Sequence, residues 1–181
     1  TVGDSVIIDQ LYSQCHDFDW TNATNSPYVK INYGIQFVVS GSVKLAAGMN
    51  FETYNNSLIL NSTEVNSITS NGVYLPKTYC RGGGTWNLND NISGVSFYFN
   101  KGTINTNDFD VHTIAFRYAS LNNVYDTTYY NLGTSKFYLN EFYIPENSTG
   151  IPELFFNPGN NQLTSNNLNF SDVTFLGNAI V

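Results

Sequence analysis

The sequence predicts an all-β fold, an antiparallel β-sandwich of immunoglobulin-like or jelly-roll topology with one disulfide. Helical periodicity is close to absent, with no stretch beyond two turns carrying apolar residues at i, i+3, i+4 and i+7 behind a capping signal. Short β-branched or aromatic segments recur instead, bounded by Asn, Gly, Ser, Asp or Pro. Apolar residues also alternate along several of them, the pattern of antiparallel sheets buried on one side. No repeat period and no linker is legible, and the length of 181 residues fits one domain spanning 1–181.

The predicted strands, in order, are 5–12, 28–39, 42–46, 57–60, 94–100, 111–120, 136–144 and 168–176. Val95, Phe97 and Phe99 are expected on one face of their strand, and Ile114, Phe116 and Tyr118 on one face of theirs. Segment 136–144 is apolar or aromatic on both faces and reads as a central strand. Asn71-Gly72 is a hairpin signal of type I′, and Ser40-Gly41 reads as a turn between two strands. The Asn/Pro/Gly-rich stretch 146–167 reads as loop.

Only 12% of the residues are charged, so the polar surface is carried by Asn, Ser, Thr and Tyr. A net charge of -7 without a Lys/Arg cluster argues against a nucleic-acid partner and against an anionic membrane. The longest apolar run, 35–39, is far below the roughly 20 residues that span a bilayer, so no membrane insertion is expected. Cys15 and Cys80 are too far apart in sequence for a CxxC site. They read as one disulfide worth about 4 kcal/mol in an oxidising compartment, the alternative being two buried free thiols in a cytosolic protein. Sequons at Asn22, Asn55, Asn61, Asn91, Asn147 and Asn169 discriminate nothing, because about five would arise by chance at this composition.

No catalytic residue, metal ligand or cofactor is assigned, and an enzyme is not expected. His16 and His112 are the only histidines, and no GxSxG elbow accompanies either. The cluster His16, Asp17, Asp19 before Trp20 reads as a solvated loop, with a metal or sugar-hydroxyl site as the alternative. Segment 105–110, NTNDFD, offers oxygen ligands but lacks the glycine and terminal glutamate of an EF-hand loop. No pattern places two carboxylates across a cleft for glycoside hydrolysis.

The segment YCRGGGTWNLND, 79–90, concentrates a cysteine, an arginine, three glycines and a tryptophan. A phosphate-binding loop would continue Gly-Lys-Ser/Thr into a helix, whereas Gly84 is followed by Thr85-Trp86. Sugar recognition uses these residue types: an aromatic ring packs on the apolar face of a pyranose, while Asn and Asp fix hydroxyl pairs. Trp86, Asn87, Asn89 and Asp90 are therefore the candidate ligand-binding residues, with Tyr125 and Asp126 of NNVYDTTYYN lining the same surface. Burial of Trp86 in the core is the competing reading.

On the cysteine adjoining that Gly/Asn loop, YCRGGGTWN, and on its acidic, Asn/Thr/Tyr-rich all-β layout, the chain resembles the N-terminal receptor-binding lectin domain of chaperone-usher fimbrial tip adhesins. The resemblance implies a shallow N-acetylglucosamine site in which Tyr79 is the aromatic element and 85–87 supply polar contacts. It also implies a host glycan or glycoprotein receptor, an extracellular place at the fimbrial tip, and a pilin domain after residue 181 completed by the next pilus subunit. The alternatives are a viral or eukaryotic cell-surface attachment domain and a non-lectin structural subunit assembling through a sheet edge.

Overall fold

Alternation of inward apolar and outward polar side chains builds strands through the described part of the chain, but the strands coil in parallel. In the computed structural model, residues 5–52, 56–118, 128–143, 148–149, 153–156, 163–164, 170 and 172–175 are described. The first turn comprises β1 (Ser5–Ile8), β2 (Gln14–Cys15) and β3 (Phe18–Asp19); the second, β4 (Tyr28–Ile31), β5 (Gln36–Val39) and β6 (Val43–Lys44). The third has β7 (Asn50–Phe51), β8 (Ser57–Asn61) and β9 (Val65–Thr69), and the fourth β10 (Tyr74–Leu75), β11 (Lys77–Arg81) and β12 (Thr85–Leu88). Long strands then span two faces: β13 (Ile92–Phe99) precedes β14 (Gly102–Asn105), and β15 (Val111–Tyr118) precedes β16 (Thr128–Asn131). Next come β17 (Lys136–Leu139), β18 (Glu141–Tyr143), β19 (Ser148–Thr149), β20 (Glu153–Phe156), β21 (Leu163–Thr164) and β22 (Asp172–Phe175).

Every recorded strand pair is parallel, and each strand pairs with its counterpart one turn away. The result is a β-solenoid with three faces, the first and second merging where β13 and β15 run across both. The antiparallel sandwich expected from the sequence is therefore corrected. Turn residues do occur where predicted, but they carry the chain around a corner onto the next face. Asn71 and Gly72 both adopt positive φ (48° and 78°), as a type I′ pair would. They join β9 on the third face to β10 on the first, and no hairpin forms. Ser40-Gly41 likewise turns the second-face strand β5 into the third-face strand β6.

The same corners divide predicted strands. Segment 28–39 splits into β4 and β5 around the Asn32–Ile35 turn, closed by the Ile35 amide donating to the Asn32 carbonyl at 3.0 Å. Segment 136–144 splits into β17 and β18. In β13 the inward phase slips at Ser96-Phe97, both buried, so Phe97 and Phe99 point inward while Val95 does not. In β15 it slips at Ala115-Phe116: Ile114 is 52% exposed and Phe116 fully buried, against the expectation that they share a face. These paired slips lie in register, Ser96 against Ala115 and Phe97 against Phe116, and mark where the strands bend between faces.

Inside, like stacks on like. Phe116 packs against Phe99, Phe137, Phe142 and Tyr130 at ring-centroid distances of 5.0 to 6.1 Å. Burying such aromatic rings supplies the dominant apolar area.

The expected disulfide is also corrected, because both cysteines are free thiols. Cys15 faces Val39, Val39 faces Leu60, and Leu60 faces Cys80, so the two sulfurs share one inward column three strand spacings apart. At about 4.8 Å per spacing their Cα atoms stand roughly 14 Å apart, about twice the reach of a disulfide. The spacing follows from the coil itself.

Candidate functional site

The segment 79–90 runs over two faces and on to the next corner of one turn, so the solenoid disperses the residues predicted to share a site. Tyr79 points outward from β11 on the second face. Trp86 is fully buried among core residues and faces Asn66 and Ile104 in adjacent turns, so it offers no ligand-binding surface. Thr85 and Asn87 point outward from β12 on the third face. Asp90 sits at the next corner, where its carboxylate accepts from the Ser70 amide (2.9 Å), the Ser70 hydroxyl (3.1 Å) and the Asn71 amide. Tyr125 and Asp126 lie outside the described residues.

The glycine run has a structural explanation. Gly82 and Gly83 adopt φ of +86°, and a Cβ on Gly82 or Gly84 would collide with the Ser62 or Glu64 carbonyl oxygen of the preceding turn. Backbone stacks directly on backbone at this corner.

The other polar candidates also serve the coil. Asp17 accepts from the Ser42 amide (2.8 Å) and lies 3.3 Å from His16 Nδ1; the Ser42 hydrogen bond is the leading cause of its lowered pKa. In segment 105–110, Asp108 accepts from the Thr134 amide (2.7 Å) and hydroxyl (3.0 Å), and Asp110 from the Lys136 amide (3.2 Å). Among the described residues no group of acids, histidines or cysteines is arranged to hold a metal ion. His112 is exposed and stacks on Tyr138 at 4.2 Å, in register one turn away.

One outward column stands apart from these structural uses. Gln14 faces Val38, Val38 faces Ile59, Ile59 faces Tyr79, Tyr79 faces Tyr98, Tyr98 faces Arg117, and Arg117 faces Tyr143. At about 4.8 Å per step these seven positions span roughly 29 Å on the outward side of the second face, with Ile59 itself buried between Val38 and Tyr79. Tyr79 and Tyr98 stack at 4.9 Å with an interplanar angle of 19°. The Arg81 guanidinium lies 5.1 Å from the Tyr79 ring and that of Arg117 4.9 Å from the Tyr98 ring. With their faces engaged by each other and by the guanidinium groups, these rings present edges and phenol groups outward.

A free aromatic face appears at the start of the column. Tyr12 is 86% exposed and, with Leu11, Gln14, Gly34, Gln36 and Val38, lines a cavity of about 220 Å³. Leu11 and Tyr12 lie in the four-residue turn closed by the Ser13 amide donating to the Gln10 carbonyl (3.2 Å). Gly34, at φ +77° with nothing near its missing Cβ, keeps the opposite wall low. The two glutamine amides supply neutral donors and acceptors beside the ring. Sequence reasoning missed Tyr12 because it was assigned to the first strand. The available signal was the polar triplet Asp9-Gln10 and Ser13 around Leu11-Tyr12, which breaks strand alternation.

A shallow pocket of about 480 Å³ surrounds Trp20 with Asp19, Thr21, Asn22 and Lys44. Its acid is already engaged: Asp19 accepts from the Thr21 amide (2.9 Å) and lies 3.7 Å from Lys44 Nζ. No protein-family model, curated protein or solved structure matches the chain, and nothing among these comparisons identifies a fimbrial adhesin lectin domain.

Proposed function

We propose that the outside of the second face is a carbohydrate-binding surface, on which an extended glycan lies along the Gln14-to-Tyr143 column. The observation that carries this reading is the fully exposed Tyr12 ring beside Gln14 and Gln36 at the head of that column. A pyranose packs its apolar face on such a ring while its hydroxyls exchange hydrogen bonds with the amides. A roughly 29 Å ladder suits a chain of several sugar units. The surface recognises its ligand by binding, and the receptor is a glycan or glycoprotein outside the cell.

A glycan-array screen of the wild type beside Tyr12→Ala and Gln36→Ala variants tests this, with folding of each followed by thermal melting. Binding that weakens about tenfold or more in a still-folded Tyr12→Ala protein is the expected result. Silence across the array, or binding untouched by both substitutions, overturns the reading.

A second reading, self-assembly through a sheet edge, draws on β1. Among the described residues that strand pairs only with β4, and it exposes Val6 (40%) and Ile7 (56%). Sedimentation over a concentration series checks it, with concentration-dependent growth in mass as the expected sign.

A further inference from the structure

We infer that the glycan bound by the second face is acidic, its carboxylate or sulfate groups being taken by Lys77 and Arg81 on either side of the Tyr79–Tyr98 stack. The inference rests on the glycan-binding reading above and specifies its ligand class. A chain of net charge -7 has only seven Lys and Arg residues, and three of them, Lys77, Arg81 and Arg117, surround this one tyrosine pair.

Lys30 and Lys44, by contrast, each lie beside a carboxylate, Glu52 at 3.5 Å and Asp19 at 3.7 Å. Arg117 is likewise engaged, its Nη1 donating to Glu141 at 2.6 Å. Lys77 and Arg81 have no carboxylate within ion-pairing distance among the described residues. Arg81 Nε is buried and lacks a hydrogen-bond partner among the described residues.

Geometry gives these two cations a shared target. They are four residues apart on one strand, so they flank Tyr79 at roughly 13 Å from each other across the line of the column, and a glycan running along it passes between them. Arg81 is stacked on the Tyr79 ring, which restricts its rotamers and leaves its planar donor fork pre-organised for a carboxylate or sulfate. Lys77 Nζ lies 6.0 Å from the Tyr98 ring and Arg81 5.1 Å from the Tyr79 ring, so the stacked pair joins the two cations in one cluster. An acidic glycan laid along the column thus meets the neutral amides of Gln14 and Gln36 at one end and unpaired cations farther along.

Binding of polygalacturonate, dextran sulfate and neutral dextran is measured for the wild type and three variants. These are Lys77→Ala/Arg81→Ala, Lys30→Ala/Lys44→Ala as a charge-matched control, and Tyr12→Ala, each checked by thermal melting. The expected result is that one or both acidic polymers bind at least about tenfold more tightly than dextran. That preference collapses in the Lys77/Arg81 variant and survives in the control. Carboxylate and sulfate are distinguished by which acidic polymer is preferred.

Equal affinity for acidic and neutral polymers, or equal weakening by both double variants, overturns the inference. If that occurs while glycan binding still depends on Tyr12, the broader reading stands alone. If no polymer and no array glycan binds, that reading falls and this inference falls with it.

Discussion

Asn131 donates its side-chain amide to the Asn105 carboxamide oxygen at 2.6 Å, directly across one turn of the coil. Asn105 passes the pattern on, donating to Asn87 Oδ1 at 2.6 Å, and Asn87 donates to the Asn66 carbonyl at 3.3 Å. Such a ladder aligns neighbouring strands in register and is worth more as a chain than as separate bonds. Asn105→Ala removes the middle member and both side-chain bonds. The expected loss is about 1 to 3 kcal/mol, read from urea denaturation midpoints at unchanged slope.

Reductant is expected to leave the melting temperature and the intact mass unchanged, since Cys15 and Cys80 are three spacings apart on one column. Burial pushes the Cys80 thiol well above the ordinary range; burial, then the Asp17 charge, raises Cys15. Thiol labelling at neutral pH should therefore modify Cys80 only after denaturant is added. A mass lower by two hydrogens in the native protein would contradict this arrangement.

Trp86 is fully buried, yet its indole Nε1 has no hydrogen-bond partner among the described residues. Trp86→Phe removes that unsatisfied donor while leaving some empty volume, so a change within about 1.5 kcal/mol is expected. Trp86→Ala opens a large cavity and should cost about 3 to 5 kcal/mol. Neither substitution should alter glycan binding in protein that remains folded. Selective loss of binding by Trp86→Phe would show that the ring matters to the surface.

Acid should destabilise the protein through Asp17, Asp19 and Asp108. Their pKa values are lowered by hydrogen bonds from Ser42, Thr21 and Thr134 respectively. A carboxyl group with a depressed folded-state value stabilises above its unfolded value of about 3.9. That stability disappears as pH falls through the folded value. Thermal melts should thus be level between about pH 5 and 7 and fall below about pH 4. Asp108→Asn should reduce that acid-dependent drop, and an unchanged drop would remove Asp108 from the account.

Strand content was legible only in part, because alternation and turn residues are local: β9 to β12, β14 and β16 were not read as strands, and 146–167, read as loop, carries β19, β20 and β21. Parallel coiling was not, because the distinction between a hairpin and a corner lies in which strand the next one meets. Asn71-Gly72 carries the same chemistry in either role. The repeat is hidden by unequal turns: Lys44 faces Thr69, 25 residues on, whereas Phe137 faces Leu154, only 17 residues on. For the candidate site, Tyr79 was picked out only by its place just before Cys80, in the stretch that carries the family resemblance. Tyr98 and Arg117 come from the next two turns and join the cluster only through register, whereas Lys77 precedes Tyr79 by two residues on the same strand. Trp86, Thr85 and Asn87 were grouped with Tyr79 by adjacency, but a strand alternates its sides and a corner changes its face.

The stacking of each turn on the one before also governs how the protein comes apart. Contacts connect segments about twenty residues apart, so cooperativity is that of a linear array with nearest-neighbour coupling. Pulled from its termini, such a molecule peels one coil at a time, giving a sawtooth of small force peaks where a sandwich would rupture once. The aromatic cluster around Phe116 is the coupling between its middle coils, and the peaks from those coils should be the highest of the series.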